Sequence, residues 1–375
     1  MHAKRTVHYY LLILFTLAFF FFTNDFGLIA AQKTAIVTAI AIDKEEEEFS
    51  LAVQIANPSK DGSKSGGGGG ADGGKEEYPC VNGKGKTVAE ALASAEKATG
   101  WQVKLVFCRV LVLGESVLKQ NCFEALDFFL LDEYMNATCQ VTTVNGSAAE
   151  VLKSSTPLGK SSALALEKIL SDTAKTAGTA LPVSLKDFAM GYFGAGSSGF
   201  LPLIEKDEDF FKAEKTVLVK EGKKVGVLSG EETFALTAVK NPLRLADYTF
   251  PLSSGGCTVN IRKSKPKLRF SLRDDTPTLQ AELAFYVGIR DSVKPRPADK
   301  LKDAGDLPDG ALAVAEKTLS QQIIALHERC KAIGFDVFEA TGMLQKYENN
   351  SFETLKETLP ERLKLELTVR FEGVR

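Results

Sequence analysis

Apolar and polar positions along the chain change period several times, and each change predicts an element. In "TAIVTAIAIDKEEEEFSLAVQIANPS" Phe49, Leu51, Val53 and Ile55 alternate with polar or small residues. That two-residue period belongs to a half-buried strand, so two strands joined by a solvated acidic turn are expected. "QVKLVFCRVLVLGES" is apolar and β-branched enough for one interior strand. "VLKQNCFEALDFFLLDEY" repeats Val117, Leu118, Cys122, Leu126, Phe129 and Leu130 at three- and four-residue spacing, predicting one amphipathic helix. "ATCQVTTVNG" predicts a further strand, and "SAAEVLKSS" a helix opened by Ser147, with Glu150 three residues on.

Residues 161 to 190 read as helical with a break at Pro182, and "GYFGAGSSGFLPLI" as a Gly/Ser loop. "KTVLVKEGKKVGVLSGEETFAL" predicts a hairpin turning at "EGKK", then a helix capped by Ser229 with Glu232 at its third position. From Cys257 the pattern becomes strand-rich: Leu279, Ala281, Leu283, Phe285, Val287 and Ile289 alternate cleanly. Leu312, Ala315, Leu319, Ile323, Leu326, Cys330 and Ile333 then trace one stripe of a long helix. Leu363, Leu365, Leu367, Val369 and Phe371 face one side of a final strand. The fold class is therefore α/β of the mixed α+β kind: several domains, mixed sheets and packed helices behind an N-terminal apolar segment.

The chain divides into three regions. Residues 1–31 hold a signal or anchor segment: Lys4 and Arg5 precede a run from Tyr9 to Phe22 broken only by Thr16. Positive charge before an apolar run keeps the terminus inside and sends the downstream chain outward. The run just reaches spanning length, about 17 residues from Val7 to Thr23. A cut near Ala30–Ala31 would place Leu28 or Ile29 at the −3 position, a poor cleavage site. A retained signal anchor is the expectation, with a cleaved signal peptide the alternative. Residues 33–250 form an N-terminal region, of two subdomains, in which 59–77 ("SKDGSKSGGGGGADGGKEE") has too little apolar surface to order and should be a mobile loop. Residues 255–375 form a C-terminal domain after the "LSSGG" linker. Its core should include Leu319, Ile323, Leu365 and Leu367.

Composition narrows the chemistry. The 375 residues are 44% hydrophobic and 25% charged with a net charge of −2, an ordinary globular balance that offers nothing to a nucleic acid. The six cysteines include no CxxC pair, so metal spacing is absent. Cys108, Cys122, Cys139 and Cys330 sit in apolar contexts that suit buried free thiols. His327 is the sole imidazole outside the N-terminal segment, and it is expected as a partly covered surface side chain beside the helix stripe. The basic run Arg262, Lys263, Lys265, Lys267 and Arg269 is expected as a solvated strand face, with contact to anionic lipid headgroups or a partner subunit the alternative. "NGKGKTVAEAL" carries a Gly85-Lys86-Thr87 triplet before a helix. A phosphate loop needs a glycine where Cys80 stands and a buried strand before it. The plain reading is an N-cap at Thr87 with Glu90 completing a capping box. "GYFGAGSSGF" fails the G-x-S-x-G nucleophile pattern at Phe200. No catalytic, cofactor-binding or metal residue is assigned.

These segments in this order resemble the Ger(x)C family, the C subunits of bacterial spore germinant receptors. "AIVTAIAIDKEEEEFSLAVQIANPS" is similar to the family's opening hairpin, "GKTVAEALASAEKATG" to its GKT-(x)-EAL helix, and "VLVLGESV" to its VIGE turn. "KKVGVLSGEETFAL", "VNIRKSKPKLRFSL" and "CKAIGFDVFEA", with Asp336 and Phe338, resemble three later family segments. The resemblance spans Thr34 to Arg375. It implies a three-domain α/β protein on the outer face of the inner spore membrane, partnered with membrane-embedded A and B subunits. No catalysis, nucleotide or cofactor is implied. Two features depart from the pattern. The lipidated cysteine that normally comes after the signal is absent near Asp25, which makes the chain lipoprotein-like without an acylation site. Trp101 is the only tryptophan, with Phe352 standing where the family's C-terminal part carries one. An exported cell-wall hydrolase or binding protein is the alternative from another class.

Overall fold

The computed structural model describes residues 12–16, 34–56, 78–154, 156–157, 161–252, 255–292 and 310–374. Its strands are β1 (Thr34–Glu45), β2 (Glu48–Ala56), β3 (Cys80–Gly85), β4 (Gln102–Lys104), β5 (Val110–Leu113), β6 (Gln140–Val144), β7 (Val183–Ser184), β8 (Ser198–Asp207), β9 (Phe210–Lys220), β10 (Lys223–Leu228), β11 (Ala246–Leu252), β12 (Gly255–Arg273), β13 (Thr276–Ser292) and β14 (Lys364–Gly373). The helices are α1 (Val88–Thr99), α2 (Glu115–Leu118), α3 (Phe123–Leu131), α4 (Ala148–Lys153), α5 (Ser162–Ile169), α6 (Asp172–Thr176), α7 (Leu185–Tyr192), α8 (Gly230–Lys240), α9 (Ala311–Ala332), α10 (Ala340–Tyr347), α11 (Asn349–Leu355) and α12 (Leu359–Arg362). The mixed α+β class holds: these elements build two sheets with helices packed on them.

The larger sheet has ten strands in the order β10-β9-β8-β6-β5-β1-β2-β3, with β4 on β1 and β7 on β6. Its centre is parallel: β5 runs with β1, β6 with β5, and β8 with β6. Sequence alternation decides what covers each face. Ile40, Ile42, Leu111 and Leu113 meet α1, α2, α3 and α7 in one core. Ala39, Ala41, Val110 and Val112 meet α4 and α5 in another. A strand buried on both faces must be apolar throughout, which is why β5 reads "VLVL". The acidic turn falls between β1 and β2 at Glu46–Glu47, as the alternation implies.

Three expected elements are divided. The single strand over 102–114 is split, because Leu105–Phe107 turns as a 3₁₀ segment between β4 and β5. The single helix over 117–130 is broken into α2 and α3 by a tertiary contact. Cys122 N–H donates to the Gly222 carbonyl at 2.9 Å, and Asn121 Oδ1 accepts from Phe123 N–H at 3.0 Å. The β9–β10 turn docks in that gap so closely that a Cβ on Gly222, at φ +77°, would stand 1.9 Å from Asn121 Oδ1. Residues 161–190 hold α5, α6, the bridge strand β7 and α7 rather than two helices.

The smaller sheet runs β11-β12-β13-β14. β12 and β13 form a long antiparallel hairpin, and β14 joins β13 in parallel after a crossover through the C-terminal helices. Leu279, Ala281, Leu283, Phe285 and Val287 are buried; Ile289, paired with Val259 between two register shifts of β12, is half-buried. α9 buries Ala315, Leu319, Ile323, Leu326 and Cys330, whereas Ile333 is exposed at its end. Leu319 and Ile323 are core residues as expected; Leu365 and Leu367 only pack against that core, because β14 is an edge strand. The core of this sheet continues into α8, Phe200, Leu218 and Leu228, so the two sheets share apolar packing.

Candidate functional site

The Gly85-Lys86-Thr87 triplet lies between β3 and α1. A strand does precede the helix, but β3 is the sheet's edge and pairs antiparallel with β2. Thr87 Oγ1 accepts from Glu90 N–H at 3.1 Å, the expected cap. The return bond goes one residue earlier than in a capping box: Glu90 Oε2 accepts from Lys86 N–H at 2.8 Å. Two of the amides that would face an anion, those of Lys86 and Glu90, are therefore occupied by the chain's own side chains. The glycines serve packing, since a Cβ on Gly83 would lie 2.0 Å from the Ala91 carbonyl oxygen and one on Gly85 2.6 Å from Ala91 N.

The carboxyl ends of parallel strands are where open α/β sheets bind ligands. Here that place is filled from within. Asp43, buried at the end of β1, accepts from Ala148 N–H at 2.8 Å through Oδ1. Its Oδ2 accepts from Ala149 N–H at 3.1 Å and Ser147 Oγ at 2.8 Å. The N-terminus of α4 is thus capped by a carboxylate from another element, and Ser147 serves as donor to it rather than as the expected cap. Gly114 N–H donates to the Ile42 carbonyl at 2.8 Å beside it. No sequence period points to Asp43, whose partners lie in a distant segment of the chain; the signal available was an aspartate ending an otherwise apolar strand.

An open cleft lies where α7 and the start of β8 face α10. One lobe of about 360 Å³ is lined by Asp187, Met190, Ser198, Asp336, Glu339 and Thr341, and an adjoining lobe of about 550 Å³ by Phe193, Lys220, Phe335 and Gln345 among others. Part of the expected Gly/Ser loop forms one wall, with β8 already begun at Ser198. Asp336 accepts from Ala340 N–H, Thr341 N–H and Thr341 Oγ1 at 3.0, 2.6 and 2.7 Å. Glu339, at φ +56°, pairs with Lys240 at 2.5 Å. Burial pushes the Lys240 ammonium below the usual lysine range, with Glu339 opposing, and it stands 4.3 Å from the Phe200 ring centre. Asp187 accepts from Ser184 Oγ at 2.8 Å. Each carboxylate named here thus has a partner from within the chain: Asp187 has Ser184, Asp336 has Ala340 and Thr341, and Glu339 has Lys240.

His327 is a correction: it is buried, not a partly covered surface residue. Its Nε2 lies 3.2 Å from the Leu363 carbonyl oxygen and its ring stacks on Phe338. Burial lowers its pKa, against the Leu363 carbonyl. No nucleophile is among these contacts. Cys108, Cys122, Cys139 and Cys330 are buried free thiols, and burial raises Cys122 and Cys330 to about 12. Among the described residues no group of three His, Cys, Asp or Glu side chains could hold a metal. Arg262, Lys263, Lys265, Lys267 and Arg269 lie on β12, where Arg262, Lys263, Lys265, Lys267 and Arg269 are all exposed. The Gly-rich 59–77 stretch and the linker's Ser253 and Ser254 lie outside the described residues, as does the apolar run except 12–16. No helix among the described residues is long and apolar enough to cross a membrane.

Comparison with known proteins gives one consistent answer. The family profile described as "Spore germination protein N-terminal domain" matches residues 30–206. The profile "Spore germination B3/ GerAC like, C-terminal" matches residues 214–372. A Bacillus subtilis (strain 168) protein named "Putative spore germination protein YfkR" is 20% identical over 259 residues, 66% of this chain and 66% of its own length, just under two thirds. A solved structure titled "Crystal Structure of the GerBC protein" aligns over 90% of this chain and 97% of its own, with a TM-score of 0.55 and 17% identity, a likeness of fold.

Proposed function

The chain belongs to the Ger(x)C family of spore germination proteins, and from that premise we propose that it is the C subunit of a germinant receptor. In this reading it sits on the outer face of the inner spore membrane, held by its N-terminal segment, and is needed for the germination response to nutrients. Its partners are the membrane-embedded A and B subunits, and it takes no nucleotide and performs no catalysis. The chain divides into the 1–31 segment, the 33–250 region and the 255–375 domain.

The observation that carries this reading is the tiling of the two family profiles over residues 30–206 and 214–372. The geometry supports it. Asp43 fills the ligand position of the parallel sheet, and the cleft carboxylates Asp187, Asp336 and Glu339 are committed to Ser184, Thr341 and Lys240. Affinity purification of the full chain from detergent-solubilised spore membranes tests it. Two multi-span proteins should accompany it in stoichiometric amounts, and recovery of the chain alone would contradict the reading.

A further inference from the structure

Single exposed apolar residues are ordinary on any protein; a group of large ones at one place is not. Trp101, Val106, Phe107, Leu131 and Tyr134 are 41, 47, 56, 78 and 58% exposed, and the topology brings all five to one end of the ten-stranded sheet. Trp101 immediately precedes β4, whose Gln102 is in register with Thr34 at the start of β1. Val106 and Phe107 occupy the 3₁₀ turn that leads from β4 to β5. Lys104 Nζ lies 5.3 Å from the Tyr134 ring centre, which ties the segment after α3 to the same place. Leu131 is the last residue of α3, three before Tyr134. The turn that divides the expected strand is thus what turns a valine and a phenylalanine outward.

This is also the end at which the chain arrives from its apolar run. Eleven residues, 23–33, separate Phe22 from Thr34. That length spans at most ~40 Å extended, and about 20 Å as a flexible coil. Leu12, Ile13, Leu14 and Phe15 of the run are themselves helical and strongly exposed. Tryptophan and tyrosine favour the headgroup level of a bilayer, where an apolar ring and a polar edge are both satisfied. The Lys104 stem beside Tyr134 can keep its ammonium in water there. Asp132 and Glu133 adjoin the group, so the surface suits the apolar–polar boundary itself rather than an anionic headgroup.

We infer that this end of the sheet rests on the lipid bilayer, with Trp101, Phe107, Leu131 and Tyr134 at the interface and the opposite end, where β8 turns into β9, held away from it. The contact fixes the orientation of the protein on the membrane. It rests on the reading that the chain stays at the membrane.

Trp101 is the only tryptophan, so its fluorescence reports this contact directly. The full chain is reconstituted into phosphatidylcholine vesicles with and without lipid brominated near the headgroup, and flotation is scored in parallel. A second protein, Trp101→Phe with Phe210→Trp, carries the reporter at the β8–β9 turn. The expected result is a blue-shifted Trp101 emission quenched by the brominated lipid, an unquenched reporter at 210, and reduced quenching of Trp101 in Phe107→Asp with Leu131→Asp although that protein still floats. Protein that floats while Trp101 is no more quenched than the reporter at 210 overturns the inference and leaves membrane retention standing. Protein that fails to float overturns both. Shielding of Trp101 only when multi-span partner subunits are co-reconstituted assigns the surface to a protein and overturns the lipid contact.

Discussion

Asp43 and Gly114 are fitted to each other: a Cβ on Gly114 would stand 1.8 Å from Asp43 Oδ1, the atom that accepts from Ala148 N–H. The absence of a side chain at 114 is what lets the carboxylate reach the N-terminus of α4. Gly114→Ala should cost about 1–3 kcal/mol by overpacking. Asp43→Ala should cost about 2 kcal/mol or more by leaving buried amides unpaired. The double variant should lose clearly less than the sum, because removing the carboxylate removes the clash. Chemical denaturation of the four proteins measures this, and strict additivity would show the two residues to be independent.

The triplet at 85–87 separates packing from phosphate chemistry. Gly83→Ala, where the new Cβ meets the Ala91 carbonyl, should destabilise by about 1–3 kcal/mol. Lys86→Ala, at an exposed position, should stay within about 0.5 kcal/mol of wild type. Isothermal titration with ATP should give no saturable heat in either the wild type or Lys86→Ala. Saturable binding lost with Lys86 would restore the phosphate-loop reading.

Burial depth should grade the C-terminal domain. Leu319→Ala, in the middle of the core on α9, should cost about 3–5 kcal/mol. Leu365→Ala, half-buried on the edge strand β14, should cost about 1–2 kcal/mol, below the range of a fully buried leucine. Equal losses in thermal or denaturant unfolding would mean that β14 is covered on its far side.

His327 gives the fold a dependence on pH. A free imidazole titrates near 6.5, and burial lowers the folded value while the Leu363 carbonyl opposes. Between the two values the unfolded chain binds a proton that the folded chain does not. Stability should therefore fall as pH drops through about 6.5 and stop falling on this account below the folded value. The loss between about pH 7.5 and 5.5 should be smaller in His327→Gln than in wild type. An identical loss would mean that other groups carry it.

The legible and the hidden parts of the fold differ in one physical respect, the distance along the chain of the contacts that decide them. Alternation locates β1, β2, β13 and β14 because one or both faces of those strands are packed, and the spacing of Ser229 and Glu232 marks the capping box that closes at 3.3 and 2.8 Å. Breaks imposed by distant contacts leave no local period. Cys122 and Asn121 interrupt a helix only because Gly222 arrives from a hairpin far along the chain. His327 reads as peripheral because the stripe of α9 says nothing of Leu363 and Phe338, which cover it from another segment. The resemblance implies three domains, and the described strands form two sheets.

The germination response of spores tests the account at its centre. Spores lacking this chain, made with the rest of the receptor intact, should lose the nutrient-triggered fall in optical density. The full chain supplied in trans should restore it, as should Lys86→Ala, because the proposed role uses no nucleotide. Spores without the chain that germinate at the wild-type rate on every nutrient tried, or that are rescued by wild type and not by Lys86→Ala, would contradict it.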